Sequence, residues 1–217
     1  MTRAVFALLL VGFLFGVLFG CAGRFDLPML WAWLAVTLGA TLVVARRMDP
    51  ELAKERMRPG PGGMDRHLRF TAGGFWLAHV VLAALDVGRF HWSDSVPFAL
   101  QIAGLVVYAA SYVLSASAVI VNRFFSPVVR IQAERGHTVI TDGPYRWIRH
   151  PGYAAVLVAL SGGGLALGSW WGLMPLAAVV PFVLRRTIIE DRFLRQNLDG
   201  YAEYAQRVRY RLVPGVW

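Results

Sequence analysis

Long apolar runs alternate along this chain with short blocks of charge. The runs fall near 4–22, 28–45, 70–86, 96–121, 152–168 and 172–185, each close to the roughly 17–25 residues that a helix needs to cross a bilayer. The pattern predicts an all-α fold, a polytopic membrane helical bundle of about six spanning or nearly spanning helices. The last two form a hairpin turned at Ser169-Trp170-Trp171, and the polar tail after them predicts a C-terminal cytoplasmic helix. Residues 1–121 hold helices 1 to 4, and 122–217 hold the chemistry-bearing region.

The connector 46–69 carries its own local signals. Pro50 to Met57 predicts a short interfacial helix starting after Asp49, with proline in its first turn, where the missing N–H costs nothing. The stretch Arg58-Pro-Gly-Pro-Gly-Gly63 ends it, since proline and glycine at this density cannot sustain a helix. Two readings stand for the connector: an ordinary link, or a lid over a substrate entrance. Ser161-Gly162-Gly163-Gly164 lies inside an apolar run with no strand before it, so it predicts close helix packing and not a phosphate loop. The absence of alternating strands and helices also excludes a doubly wound cofactor domain.

Composition agrees with a membrane protein. Hydrophobic residues make up 57% of the chain and charged ones 16%, against about 25% charged in soluble domains. Of the 22 Lys and Arg, segments 46–69, 122–150 and 185–217 carry seven, five and seven, whereas the opposite loops carry only Arg24 and Arg89. The positive-inside rule then places both termini in the cytoplasm, as expected of an integral protein of a bacterial inner membrane. The net charge of +9 is explained by these flanks and their attraction to membrane lipids; no nucleic-acid motif accompanies it. Cys21 follows Leu18-Phe19-Gly20 after a run headed by Arg3, a weak likeness to a lipoprotein signal, but Phe19 is bulky for such a site and the run is kept as a helix.

The densest polar cluster is Thr141-Asp142-Gly143-Pro144-Tyr145-Arg146-Trp147-Ile148-Arg149-His150-Pro151-Gly152-Tyr153, set directly against the apolar run from Ala154. Arg186 and Glu190 stand four apart near the end of the last run and share a helix face. The chain closes with Tyr201-x-x-Tyr204, Arg207-Val208 and Pro214. This order resembles the isoprenylcysteine carboxyl methyltransferase family and its bacterial relatives, mainly over 122–217. The resemblance implies an S-adenosylmethionine-dependent membrane enzyme. In it, His137, Thr138, Val139 and Ile140, then Tyr145, then His150, Pro151, Gly152 and Tyr153, and finally Glu190 bind the cofactor. Arg186 faces the methyl-accepting carboxylate. A glutamine of the family pattern corresponds to Gln132 or is replaced by Arg130.

The residue types suit that cofactor, whose carboxylate, ammonium, ribose, adenine and sulfonium need donors, acceptors and stacking faces together. His137, Arg149 and His150 offer donors, Glu190 an acceptor, and Tyr145, Trp147 and Tyr153 aromatic faces. Pro144 and Pro151 stiffen the backbone on either side. Plainer readings stand beside these: Arg146 and Trp147 as interfacial belt residues, Arg186 as a headgroup anchor, Glu190 as a simple partner of Arg186. His79 reads as a hydrogen-bonded core residue, although any ionisable group in a span deserves a check. No His, Cys, Asp and Glu set has metal-ligand spacing, so no metal is expected, and no Ser/His/Asp order suggests a triad.

The expected activity is transfer of a methyl group to a lipophilic acceptor, a small molecule or a prenylated cysteine, whose ionised carboxylate needs no general base. An NADPH-dependent membrane reductase is the main alternative, distinguished by the nucleotide bound. A scaffold or transporter is the other, and would show more paired charge within its spans. Nothing in helices 1 to 4 encodes a recognisable acceptor pocket.

Overall fold

A computed structural model describes residues 3–65 and 70–217. Arg66 and Arg69 of the basic connector, and the side chain of Arg3, lie outside the described residues. Among the described residues eight α-helices follow in order: α1 Arg3–Ala22, α2 Pro28–Arg47, α3 Pro50–Met57, α4 Thr71–Leu85, α5 Phe98–Val121, α6 Pro151–Ala166, α7 Leu176–Asn197 and α8 Tyr201–Arg207. A π-helical turn, Asp86–Phe90, prolongs α4. Among the described residues there is no strand.

Helices Pro28–Arg47, Thr71–Phe90, Phe98–Val121 and Trp171–Asn197 are long and apolar enough to cross a membrane, while Leu9–Ala22 and Pro151–Ala166 are shorter apolar segments. Among the described residues, four of the six runs are therefore full-length candidates for spans; Leu9–Ala22 is a part of the 20-residue α1, and Pro151–Ala166 is the shorter apolar helix. Many large apolar side chains face outward, among them Val106, Val113 and Phe98, all more than 60% exposed. A surface of this kind suits hydrocarbon and not water.

The central packing is between α5 and α6, and the glycines explain it. A Cβ on Gly104 would stand 2.6 Å from the Ala166 amide nitrogen, and one on Gly162 would stand 2.7 Å from that of Tyr108. The two backbones touch, the means by which membrane helices associate without a hydrophobic drive. Around this pair Leu18, Leu30, Trp33, Val80, Ala83 and Tyr108 form a buried core that joins α1, α2, α4 and α5. His79 belongs to it: buried in α4, its Nδ1 lies 2.7 Å from the Gly172 carbonyl, as the core reading expected.

The bundle has two unlike ends. At one, loops 23–27, 86–97 and 167–175 meet. Arg89 donates to the carbonyls of Gly20 and Cys21 at the end of α1, Asp86 accepts from Ser93 and Ser169, and Trp92 packs on Trp171. Exposed Phe25, Trp31, Phe90, Trp92 and Trp170 supply an aromatic belt there. At the other end the connector, the 122–150 loop and the C-terminal tail come together.

Local signals position that second end. Asp49 caps α3 by accepting from Leu52 N at 2.9 Å, with Pro50 in the first turn, and α3 stops at Met57 before the Pro/Gly stretch. One expectation needs revision. Arg186 and Glu190 are not at the end of their helix, because α7 runs on to Asn197. The hydrophobic run ends at Arg185 but the helix does not, since Phe193 and Leu194 with Arg192 and Arg195 continue it with an amphipathic pattern.

Candidate active site

The loop from Asn122 to His150 has little regular structure and is held by side chains. Asn122, at the end of α5, accepts from Phe124 N and donates to the Tyr145 hydroxyl at 3.0 Å. Tyr204 of α8 donates to the Tyr145 carbonyl at 2.7 Å. Tyr145 is thus fixed from both sides, and burial raises its phenol above the ordinary range, so it stays neutral. His137 stacks on Phe124 with ring centroids 4.4 Å apart. Its Nδ1 lies 3.2 Å from Gln132 N and accepts that N–H, which leaves Nε2–H as the ring's donor. Burial first, then Arg130 and Arg135, push the imidazole down to about 4, so the ring is neutral at pH 7.

Two adjacent carboxylates on α7 do different work. Asp191 is 1% exposed and sits at a hub: Arg149 donates to both its oxygens at 2.7 and 3.0 Å, with Arg195, Arg211 and Tyr201 at 3.1–3.2 Å and His150 Nε2 at 3.4 Å. Arg149 also donates to the carbonyls of Val208 and Arg209. The backbone N–H groups of Arg149 and His150 bond to Tyr210 and Arg211. The hub ties the tail to the loop. It also commits Arg149, which is therefore a structural cation and not the free donor that its sequence position suggested.

Glu190, one residue earlier, turns elsewhere. Its Oε2 accepts from the Tyr153 hydroxyl at 2.5 Å, and its Oε1 lies 4.0 Å from His150 Nδ1. The Tyr153 hydroxyl in turn accepts from Arg186 Nε at 2.6 Å. Arg186 Nη2 donates to the Pro127 carbonyl at 2.8 Å and pairs with Asp65 at 2.7 Å. The two α7 residues are thus joined through one phenol.

These groups line one cavity of about 370 Å³, within the roughly 300–1,000 Å³ of small-molecule sites. His137, Thr138, Val139, Ile140, Tyr145, His150, Pro151, Gly152, Tyr153, Arg186 and Glu190 all border it. Along α7 the lining passes from Val179 and Val183 to Arg186, Glu190 and Leu194, a stripe at helical spacing that changes from apolar to cationic to anionic. Phe75 of α4 and Phe182 meet edge-to-face at 5.7 Å beside the apolar part. Arg146 and Trp147 are outside the lining and Trp147 is 69% exposed, the placement that a belt residue would have. Arg130 borders the cavity, while Gln132 is fully buried in the loop, bonded to Phe124 O.

Sequence reasoning assigned no role to Asn122, Phe124, Phe125, Asp65, Tyr201 or Tyr204. The spaced tyrosines at 201 and 204 were a usable signal, since three-residue spacing on a helix puts both on one face. Asp65 had none. Among the described residues, no group of three His, Cys, Asp or Glu comes together to hold a metal.

The fold and site define a polytopic helical membrane protein with a polar cavity at the mouth of its spans and an apolar wall leading into them. Residues 101–196 match the model of the isoprenylcysteine carboxyl methyltransferase (ICMT) family. The chain is 37% identical over 108 residues to a probable protein-S-isoprenylcysteine O-methyltransferase of Oryza sativa subsp. indica, covering 48% of this chain and 56% of that protein. It is 32% identical over 156 residues to the cobalt-zinc-cadmium resistance protein CzcN of Cupriavidus metallidurans, covering 66% of this chain and 64% of that one. The chain therefore spans about half the length of the plant relative that it matches. Its fold resembles the solved structure of a eukaryotic intramembrane Ras methyltransferase, ICMT, with a TM-score of 0.59 over 95% of this chain and 74% of the other, at 18% identity.

Proposed function

We propose that the protein methylates the carboxylate of a lipophilic acceptor, a prenylated cysteine or an analogue, with S-adenosylmethionine as donor. The observation that carries this reading is the α7 stripe, where apolar wall, guanidinium and carboxylate follow one another along one cavity. The charged end of the bundle faces the cytoplasm by the positive-inside rule, which puts both termini there. The match to a bacterial relative over 66% of the chain supports a bacterial inner membrane.

The donor set fits the cofactor. His137 Nε2–H and the His150 ring serve its carboxylate, Glu190 its ammonium or ribose hydroxyls, and the faces of Tyr145 and Tyr153 its adenine and sulfonium. When bound, S-adenosylmethionine supplies an electrophilic methyl group. Arg186 holds the acceptor carboxylate about 6 Å along α7 from Glu190, and that carboxylate is already the nucleophile, so no side chain takes a proton from it. The contribution of the chain is therefore alignment and exclusion of water.

Calorimetry on the detergent-solubilised protein tests the reading. Binding of S-adenosylmethionine or its demethylated product in the micromolar range, about −8 kcal/mol, with no response to NADPH, is expected. A response to NADPH alone would replace the methyltransferase by a reductase. Mass spectrometry of native lipid extracts incubated with labelled cofactor then identifies the acceptor.

A further inference from the structure

The connector between α2 and α4 is built into the site. Glu55 of α3 forms a buried two-pronged pair with Arg130, at 2.9 and 2.8 Å. Ser126 Oγ and Gly60 N donate to the same carboxylate. Burial pushes the Glu55 carboxyl up, but Arg130 and these donors outweigh it and hold it at about 2. Gly60 crosses directly over the guanidinium, where a Cβ would stand 2.5 Å from Arg130 Nη2, so a larger residue there would have to push that guanidinium aside from its pair with Glu55. Beyond it, Met64 N donates to Val129 O and Val129 N donates to Asp65 Oδ1 at 2.9 Å.

This route ends with Asp65 Oδ2 at 2.7 Å from Arg186 Nη2, the two side chains only 13% and 11% exposed. The chain thus presents its own carboxylate to the guanidinium that the functional reading gives to the acceptor. Arg186 does not depend on Asp65 for its aim, because Pro127 O and the Tyr153 hydroxyl already fix Nη2 and Nε. The ion pair is also one-pronged, unlike Glu55–Arg130, and lacks the second parallel bond that makes a carboxylate clamp strong. A contact made this way suits exchange.

We propose that Asp65 is an internal competitor for the acceptor site: its carboxylate occupies Arg186 until an acceptor carboxylate replaces it. The proposal rests on the assignment of Arg186 to the acceptor. It turns the connector from a link into a part of the acceptor site, because an incoming carboxylate must displace the one already held there.

The test is binding of farnesylthioacetic acid and of its amide to the parent and to Asp65→Asn in detergent, with S-adenosylmethionine affinity measured on the same samples. Asparagine keeps the acceptor for Val129 N and removes the charge. Asp65→Asn is expected to bind the acid about tenfold more tightly than the parent, the gain if Asp65 holds Arg186 nine-tenths of the time, with the amide unchanged. Acid affinity that is unchanged or weaker in the variant overturns the proposal, and so does a parent and variant that bind acid and amide alike. An acid-selective gain in a protein that binds no S-adenosylmethionine would keep the proposal and remove the methyltransferase reading. Cofactor binding without that gain would do the reverse.

Discussion

The two ends of the bundle solve the same problem with different chemistry. Each buries a carboxylate where loops converge. At the aromatic end, Asp86 is fully buried and accepts from the hydroxyls of Ser93 and Ser169; at the charged end, Asp191 is equally buried but surrounded by Arg149, Arg195 and Arg211. A hydroxyl-bound carboxylate closes a corner and asks little of its neighbours. One ringed by arginines fixes three separate segments, and that rigidity is what the cavity beside it needs. At the charged end the saturated groups are structural, whereas Glu190, His137 and Arg186, with fewer partners and a share of the cavity wall, are the ones proposed to meet ligands.

The largest expected effect breaks that contrast directly. Removing one partner of a buried pair leaves the other charge uncompensated, at a cost of about 3–5 kcal/mol. Asp191→Ala is expected to lower thermal stability by that amount and to take cofactor binding with it, because Arg149 then loses both of its carboxylate bonds. Asp86→Asn keeps an oxygen for the two serines and is expected to stay within about 1 kcal/mol of the parent. Equal destabilisation of the two variants in detergent melts would show that the arginine ring adds nothing.

Much of the charged end was legible in the sequence, for identifiable reasons. The motif proposed to bind the cofactor is nearly contiguous from His137 to Tyr153, so the loop that carries it had to bring those residues together, and the Asp49 cap with Pro50 marked α3 to the residue. Gly162 and Gly163 announced close packing by their small size inside an apolar run. Pairings across long sequence separation were not legible: Glu55–Arg130 and Asp65–Arg186 join segments that share no period and no motif. The different fates of Glu190 and Asp191 were legible in principle. Four residues from Arg186 keeps Glu190 on the cavity stripe, and the 100° step to the next residue turns Asp191 toward the tail.

A second prediction sharpens the division along α7. Glu190→Ala removes a charged acceptor from the cofactor end and is expected to weaken S-adenosylmethionine binding by about 1.5–3 kcal/mol. Arg186→Ala is expected to leave that affinity nearly intact while impairing methylation of a carboxylate acceptor, and Arg186→Lys to rescue only partly, since an ammonium lacks the fork of donors. The shared Tyr153 hydroxyl makes this a demanding test. If both alanine variants lost cofactor affinity equally, and Tyr153→Phe matched them, the two residues would act as one unit through the phenol.

The smallest effect concerns His137 and pH. Burial, with Arg130 and Arg135 beside it, holds the folded imidazole at about 4, below the roughly 6.5 of an unfolded histidine. The folded ring therefore binds its proton less readily than the unfolded one, and its contribution to stability is complete above about pH 6.5 and drains away as the pH falls toward 4. Glu55, held at about 2, loses its contribution only below the ordinary carboxylate range of about 4.3, so the interval between about pH 4.5 and 6.5 separates the two. Because the ring is partly in contact with solvent, the expected loss across that interval is about 1–2 kcal/mol. His137→Asn, which still offers an acceptor to Gln132 N, should melt with a flatter pH dependence there than the parent. Parallel curves for parent and variant would mean that the ring is not held neutral by its surroundings, and that its Nε2–H is not the fixed donor on which the cofactor assignment relies.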